Sequence, residues 1–327
     1  MTPRHVPLLI LGSGPAGLAA ALYAARANLS PLVVRGREPG GLIATTDRVE
    51  NYPGFPEGLT GDELAWRFEE HAARYGAEFV NAFVTRLDLA AQPYALHLDE
   101  RRLTADALIL ATGASPRPLG VPGELEFFNA GVAYCATCDA PAFDGRRVVV
   151  VGGGNSALDE ALFLVRYARE VMIMHRRAAL RADRVLQTRA LTHPRLRFVW
   201  NAQVTEIVGE EEVTAVRWRD VSSGEEHFLT TDGVFPCIGH LPNTALFAGQ
   251  LALDTAGYVS TDGHTRTSLP GVFAAGDVAD PVYRQAVTSA GDGARAAMQA
   301  VRLLDERFGT HETERQAEEQ TEVLGAG

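Results

Sequence analysis

Short runs of aliphatic and β-branched residues alternate along the chain with Ala-rich stretches that have the apolar spacing of helices. In the first such unit, residues 8–11 predict a strand, residues 16–27 a helix and residues 32–34 a second strand. A glycine-rich turn separates the first strand from the helix. This alternation is typical of α/β folds, in which crossover helices connect parallel strands.

The same layout returns in the middle of the chain. Residues 147–151 predict a strand, residues 158–168 a helix and residues 170–174 another strand, again with a glycine-rich turn after the first strand. We interpret the two units as a duplicated dinucleotide-binding fold and not as a short-period repeat.

Two segments rich in Pro and Gly, residues 113–123 and 238–244, bracket the second unit. We expect them to be hinges, with the second unit inserted into the first. The predicted domains are therefore a discontinuous one, residues 1–116 and 245–327, and an inserted one, residues 117–244.

The charge balance and the hydrophobic runs narrow the class of protein. Lys and Arg number 30 against 41 Asp and Glu, a net charge of −11, which argues against general nucleic-acid binding. Apolar runs are far shorter than the ~20 residues of a membrane span. The N-terminal strand runs straight into Gly12 and does not resemble an export signal. We therefore expect a cytoplasmic protein that binds neither nucleic acid nor a membrane.

The first turn has the pattern Gly12-x-Gly14-x-x-Gly17. In this motif the glycines permit a tight turn, let a pyrophosphate approach the backbone and allow the helix to pack closely on the strand. The free N–H groups of the helix then face the phosphates. An acid is expected about 20 residues further on. Arg35 stands near the end of the second strand and, taken literally, would suggest a phosphorylated ribose, whereas Glu38 lies three residues further on.

The second turn has the pattern Gly152-x-Gly154-x-x-Ala157, and its following strand ends in basic residues 175–177, with Arg181 further on. Guanidinium groups hold a 2′-phosphate by charge-assisted bonds, whereas an acid would repel it. This pattern predicts a preference for NADPH over NADH. The alternative is a solvated basic surface.

Cys135 and Cys138 form a Cys-x-x-Cys pair followed by Asp139. At the start of a helix such a pair can close a disulfide ring and favours a reactive thiolate, with the acid moving a proton. A zinc site would need two further ligands, and Cys237 is the one remaining cysteine. We therefore expect no metal. Two buried cysteines without chemistry remain an alternative.

These motifs, in this order, resemble those of low-molecular-weight thioredoxin reductases. The resemblance spans about residues 6–308 and includes the segments 50–54, 111–113, 274–277 and 283–286. It implies two Rossmann-like domains, with the NADPH domain inserted into the FAD domain.

The resemblance also implies site residues. The implied FAD contacts are Gly12, Ser13, Gly14, Pro15, Ala16, Gly17, Glu38, Gly40, Gly41, Asn51, Thr112, Gly113, Gly276, Asp277, Arg284, Gln285 and Ala286. The implied NADPH contacts are Gly152, Gly154, Asn155, Ser156, His175, Arg176, Arg177 and Arg181.

The implied reaction passes electrons from NADPH to FAD, then to the Cys135–Cys138 disulfide, and finally to thioredoxin. In the family pattern Cys138 faces the flavin, Cys135 attacks the partner disulfide and Asp139 is the acid/base. The resemblance further implies rotation of the NADPH domain between half-reactions and a homodimer.

The sequence departs from the family pattern at a few positions. Leu42 replaces a common Gln in the flavin loop. Residues 140–143 lack the paired aromatics that receive thioredoxin in many relatives, and a basic residue is missing from 129–131. The change at Leu42 affects one contact of the flavin loop and not the cofactor itself. The other two departures affect which partner protein docks and leave the electron path intact.

Four other functions fit the motifs less well. Flavin dithiol oxidases tend to lose the arginine cluster, and flavin-dependent reductases of ferredoxin or flavodoxin lack the cysteine pair. Larger enzymes like glutathione reductase place that pair in the FAD domain and add a C-terminal dimer domain. A sensor without turnover would have no use for the thiols and the adjacent acid.

Overall fold

The structure is a computed structural model that describes residues 4–36, 39–46, 48–98 and 101–325, with side chains described up to residue 307. The chain divides into two compact units. The first comprises residues 1–47, 52–115 and 242–327, and the second comprises residues 48–51 and 116–241. Among the helices of the described residues, none is both long enough and apolar enough to cross a membrane.

Strands and helices alternate through both units. The strands are β1 (Arg4–Leu11), β2 (Leu32–Val34), β3 (Glu78–Val80), β4 (Val84–Asp88), β5 (Tyr94–Leu98), β6 (Arg101–Leu110), β7 (Ala114–Pro116), β8 (Arg147–Val151), β9 (Glu170–His175), β10 (Leu196–Trp200), β11 (Ala202–Gly209), β12 (Val213–Asp220), β13 (Glu226–Thr230), β14 (Gly233–Pro236), β15 (His240–Pro242) and β16 (Val272–Ala274). The α-helices are α1 (Pro15–Arg26), α2 (Gly61–Arg74), α3 (Ala136–Asp139), α4 (Asn155–Leu164), α5 (Arg184–Leu191) and α6 (Ala286–Gly325). Single 3₁₀ turns cover Leu42–Thr45, Ala140–Phe143, Ala245–Phe247 and Gly276–Val278.

The first unit is built on a sheet of strand order β3-β2-β1-β6-β5-β4, with β16 also paired to β6. Strands β3, β2, β1, β6 and β16 are parallel, whereas β5 is antiparallel to both of its neighbours, β6 and β4. Leu9 and Leu11 pack into one apolar cluster, and Leu8 and Ile10 pack into the cluster on the opposite face. Burial on both faces explains why β1 is a continuous hydrophobic run.

Helices α1 and α6 pack closely because small residues line their contact. Ala20, Ala21 and Ala24 are fully buried. A Cβ added at Gly293 would lie 2.0 Å from the carbonyl oxygen of Ala16, so glycine is required there. The Ala-rich composition of α1 therefore reflects close packing as well as helix propensity.

The second unit contains a parallel sheet of order β10-β9-β8-β14 and an antiparallel sheet of order β11-β12-β13. The predicted α/β fold class is confirmed. The predicted helix 158–168 is wrong in its bounds, since α4 covers Asn155–Leu164 and starts directly after its N-cap, Gly154.

Candidate active site and cofactor sites

Three predicted FAD-contact segments follow the carboxyl ends of neighbouring parallel strands in the first unit. Leu11 ends β1, Leu110 ends β6 and Ala274 ends β16, and the register pairs Leu110 with both of the others. Gly12, residues 112–113 and residues 276–277 therefore emerge at one edge of the sheet. That edge is where open α/β sheets bind their ligands.

The three glycines of the first turn differ in how much space a side chain would have at each position. A Cβ at Gly12, where φ is +114°, would lie 2.2 Å from the oxygen of Ala111. A Cβ at Gly17 would lie 2.0 Å from the oxygen of Gly12. At Gly14 the nearest atom would be 3.9 Å away. Packing of the described protein atoms thus explains Gly12 and Gly17 and leaves space beside Gly14, at the start of α1.

Ser13 joins the first turn to the loop that follows β2. Its side chain is almost completely buried, donates to the carbonyl oxygen of Arg35 at 3.2 Å and accepts the N–H of Gly40 at 3.1 Å. A Cβ at Gly41 would lie 2.9 Å from the Cα of Gly14. The structure therefore brings the predicted residues of the turn and of the loop together.

Arg35 and Glu38 are the two candidates for the ribose contact. The Arg35 guanidinium forms an ion pair with Glu69 and lies 5.6 Å from the centre of the Phe79 ring. These contacts favour an internal role for Arg35 over capture of a phosphate. Glu38 lies outside the described residues.

Asp277 follows β16 and lies close to the start of α1. Its carboxylate accepts the hydroxyl of Ser289 at 2.9 Å, and burial raises the pKa of Asp277 to about 6. Gly276 has a φ of +76°, and a Cβ there would lie 2.9 Å from the Cβ of Ala16. Ser289 was not predicted, because its link to Asp277 depends on how α6 packs.

Asp280 shapes the segment that leads into α6. Its carboxylate accepts the N–H groups of Val282, Tyr283 and Arg284 at 2.8, 3.0 and 3.3 Å. Arg284 takes a left-handed conformation, with φ at +49°, just before α6 begins at Ala286. A non-glycine residue held in that region indicates a constrained position. The predicted residues Arg284 and Gln285 thus lie on a loop that Asp280 holds, and Ala286 begins the helix that follows. Asp280 was not identified from the sequence.

Thr112 and Gly113 are both hydrogen-bonded to Asn243, a residue of the same unit. The Thr112 hydroxyl donates to the Asn243 carbonyl at 2.8 Å, and the Asn243 amide donates to the Thr112 carbonyl at 2.9 Å. The N–H of Asn243 donates to the Gly113 carbonyl at 3.0 Å. Asn51 is exposed and belongs to the second unit.

The second glycine turn resembles the first, because two of its glycines are closely packed and the third has open space beside it. A Cβ at Gly152 would lie 2.3 Å from the carbonyl oxygen of Cys237, and one at Gly153 would lie 2.5 Å from the His175 ring. A Cβ at Gly154 would meet no described atom within 4 Å. The open position is again the N-cap of the following helix, α4.

His175 supports this turn as a neutral side chain. It is buried, and its Nε2 lies 3.1 Å from the Ala179 carbonyl, which makes Nε2–H the donor. Burial lowers the pKa of His175, and the nearby positive charges of the arginines lower it further. His175 therefore packs its uncharged ring on Gly153 and adds no cation beside the turn.

A cavity of about 780 Å³ opens beside the second turn. Arg176 and Arg181 line it, whereas Arg177 is not among its lining residues. Arg117 and Arg219 also line the cavity. Sequence analysis missed both, because they come from segments far from the basic cluster in the chain.

Several other arginines of the second unit form ion pairs with carboxylates. Within the described part of the chain, Arg176, Arg177 and Arg181 form no ion pair with a carboxylate, whereas Arg217 pairs with Glu206 at 2.9 Å. Three exposed guanidinium groups are thereby available to an anion. The cluster suits a phosphate.

Asn155 turns its side chain toward Asp183 and away from a capping role. Its amide donates to the Asp183 carboxylate at 2.7 Å, and its oxygen accepts the Asp183 N–H at 2.8 Å. Helix α4 has no side-chain cap hydrogen bond. Its first N–H groups, which include that of Ser156, remain directed to the space beside Gly154.

Cys135 and Cys138 form a disulfide with Cα atoms 5.3 Å apart, which is the ring that the Cys-x-x-Cys spacing allows. Cys135 is the N-cap of α3, and its sulfur accepts the Cys138 N–H at 3.2 Å. Both cysteines are partly exposed, and Asp139 ends the helix. Cys237 lies apart from this pair and packs against the core of the second unit.

Comparison with known proteins defines the class of protein. Residues 6–293 match the family model described as pyridine nucleotide-disulphide oxidoreductase. The chain is 45% identical over 312 residues to "Thioredoxin reductase" of Coxiella burnetii, covering 93% of this chain and 98% of that one. It is 48% identical over 301 residues to the protein of the same name from Mycolicibacterium smegmatis, covering 92% and 97%.

Solved structures agree. Thioredoxin reductase from Giardia duodenalis matches with a TM-score of 0.86 and 38% identity, covering 92% of this chain and 99% of that chain. The enzyme from Streptococcus pyogenes also has a TM-score of 0.86 and 38% identity, covering 93% and 100%. The chain belongs to the pyridine nucleotide-disulphide oxidoreductases and, within them, to the thioredoxin reductase family.

The family uses FAD as its cofactor and NADPH as its reductant, and the two glycine turns fit such groups. Each turn has one glycine that packing among the described residues does not require, at the start of a helix without a side-chain cap. A pyrophosphate beside that glycine would accept the free N–H groups.

Proposed function

We propose that this protein is a thioredoxin-disulfide reductase that uses Cys135 and Cys138 as its redox pair. The carrying observation is a partly exposed disulfide at the start of α3, in the unit that also holds the cavity with Arg176 and Arg181. The names of the relatives support thioredoxin as the partner. Bound FAD supplies the electron transfer between NADPH and the disulfide.

The cysteine pair stores two electrons in this scheme. Reduction breaks the S–S bond and adds two electrons and two protons, which gives two thiols. A thiolate then attacks the disulfide of thioredoxin, the second thiol resolves the mixed disulfide, and the original bond forms again. Asp139, next in sequence to Cys138, delivers and accepts the proton.

The cofactor assignments follow the two turns. We assign FAD to the discontinuous domain, residues 1–116 and 245–327, and NADPH to the inserted domain, residues 117–244. A buried, neutral His175 shapes the second turn, while Arg176 and Arg181 hold the 2′-phosphate. We further propose a cytoplasmic homodimer whose NADPH domain rotates between the half-reactions.

The experiment is steady-state oxidation of NADPH by the purified holoenzyme, with and without oxidised thioredoxin. We expect strong stimulation by thioredoxin and little activity with NADH. Equal rates with oxygen alone would replace the proposal with a dithiol oxidase. Absence of turnover with any disulfide protein, while both cofactors bind, would replace it with a sensor.

A further inference from the structure

Glu160, on helix α4, places its carboxylate against the start of helix α3, which carries the cysteine pair. It lies on α4, and its side chain accepts the N–H of Ala136, the residue that follows Cys135. Glu160 is partly buried. The sequence analysis did not identify it, because 24 residues separate it from Ala136.

This contact reduces the stabilisation that the backbone N–H groups at the start of α3 can give to a thiolate at Cys135. Free N–H groups at a helix start stabilise a thiolate, and they lower the thiol pKa in reactive Cys-x-x-Cys pairs. Here the Cys138 N–H points to the sulfur of Cys135, while the Ala136 N–H is taken by a carboxylate. The carboxylate also places a negative charge one peptide unit from Cys135, where it opposes a second negative charge.

The consequence concerns the strength of the dithiol as a reductant. A stabilised thiolate makes a dithiol a poor reductant, because the reduced form is then favoured. A carboxylate that opposes the thiolate favours the disulfide instead, and so makes the dithiol readily give up its electrons. A reductase that must reduce another protein's disulfide needs a dithiol of that kind.

We propose that Glu160 is a positioning residue whose carboxylate, bound to the Ala136 N–H, keeps the Cys135–Cys138 dithiol strongly reducing. The inference rests on the proposed function of the cysteine pair. It predicts that loss of the charge, with the hydrogen-bond acceptor kept, shifts the dithiol–disulfide equilibrium toward the dithiol.

The test is anaerobic equilibration of the holoenzyme with dithiothreitol redox buffers, followed by alkylation and mass spectrometry of the peptide that carries both cysteines. Glu160→Gln keeps an oxygen acceptor and removes the charge. We expect half-reduction at about a tenfold higher ratio of oxidised to reduced dithiothreitol, which is ~30 mV for a two-electron couple. Glu160→Ala should shift the ratio in the same direction.

Asp159→Asn is the matched control, since Asp159 is an exposed carboxylate next to Glu160 on the same helix. We expect it to shift the ratio by less than about twofold, because screened charges at exposed positions interact weakly. An unchanged ratio in Glu160→Gln, or an equal shift in Asp159→Asn, would overturn the role of Glu160 and leave the proposed function of the cysteine pair standing. A wild-type pair that shows no reversible two-electron transition would instead overturn the proposed function. Unchanged thermal unfolding of the variants would show that the shift is not a loss of fold.

Discussion

Arg181 donates its backbone N–H to the carbonyl oxygen of Gly153 at 2.7 Å. This bond ties the end of the basic segment to the second glycine turn, so that the Arg181 side chain lines the same cavity as the turn. This hydrogen bond holds the backbone of Arg181 beside the turn. That placement suits the proposed contact between the Arg181 side chain and a 2′-phosphate.

Replacing these arginines should weaken the binding of NADPH and leave that of NADH unchanged. We expect Arg176→Ala and Arg181→Ala each to raise KM for NADPH at least about tenfold, with little change for NADH, because a lost charge-assisted contact is worth about 1.5–3 kcal/mol. Arg177→Ala should have a smaller effect, since Arg177 does not line the cavity. Steady-state kinetics with both nucleotides provide the measurement.

Arg217→Ala is the control for that series, because Arg217 already pairs with Glu206. It should leave both KM values unchanged. Equal losses with NADPH and NADH in Arg176→Ala and Arg181→Ala would refute the 2′-phosphate role.

The glycines of the first turn should divide into structural and cofactor-binding positions. Gly14 has φ −71°, which alanine adopts readily, and open space for a Cβ. We therefore expect Gly14→Ala to fold but to purify with far less flavin. Gly12→Ala, with its clash against Ala111 and positive φ, should lose more than ~2 kcal/mol of stability. Flavin absorbance and urea unfolding distinguish the two. Full flavin content in Gly14→Ala would contradict the assignment.

Serine substitution of either cysteine should block the reaction after the flavin. We expect Cys135→Ser and Cys138→Ser to keep reduction of the flavin by NADPH and to lose thioredoxin reduction at least about 1,000-fold, since the two sulfurs act as a unit. The variant that retains the attacking sulfur should form a stable mixed disulfide with thioredoxin, visible on a non-reducing gel. Cys237→Ser is the control and should turn over normally. Sustained thioredoxin reduction by either single variant would contradict the mechanism.

Asp277 predicts an unusual dependence of stability on pH in the FAD-free protein. Its pKa is raised to about 6, so the folded state is penalised by the ionised carboxylate above pH 6 and is relieved as pH falls toward the unfolded pKa of 3.8. Asp277→Asn should therefore raise the free energy of unfolding at pH 8, by about 3 kcal/mol at most, and should have little effect near pH 4. Chemical unfolding at the two pH values measures this.

Asp262→Asn provides a control of opposite sign. Backbone N–H groups of His264 and Arg266 hold the pKa of Asp262 below its usual value, so its contribution to stability is present at neutral pH and is lost in acid. A gain in stability from Asp277→Asn that is the same at pH 4 and pH 8 would refute the role of the buried charge.

Local pattern predicted the parts of the site that the chain brings together over a few residues. Both glycine turns and the strand Arg147–Val151 lie where the sequence predicts them, and the Cys135–Cys138 pair lies at the start of a helix as expected. These features depend on spacing and on backbone conformations that glycine permits.

The remaining partners come from distant parts of the chain. Ser289 meets Asp277, Asn243 meets Thr112 and Glu160 meets Ala136 only because sheets and helices pack in a particular order. Hydrophobic periodicity predicts that an element is buried, but it does not specify which polar group on that element meets which neighbour. Such pairs were therefore beyond the sequence analysis.

The most direct test of electron transfer from NADPH to the Cys135–Cys138 disulfide is to count the free thiols of the two cysteines. The holoenzyme is treated anaerobically with NADPH, alkylated and analysed by mass spectrometry, with and without subsequent oxidised thioredoxin. The account predicts that NADPH creates two new thiols, at Cys135 and Cys138, and that thioredoxin restores the disulfide. A flavin that is reduced while the Cys135–Cys138 disulfide stays intact would contradict it.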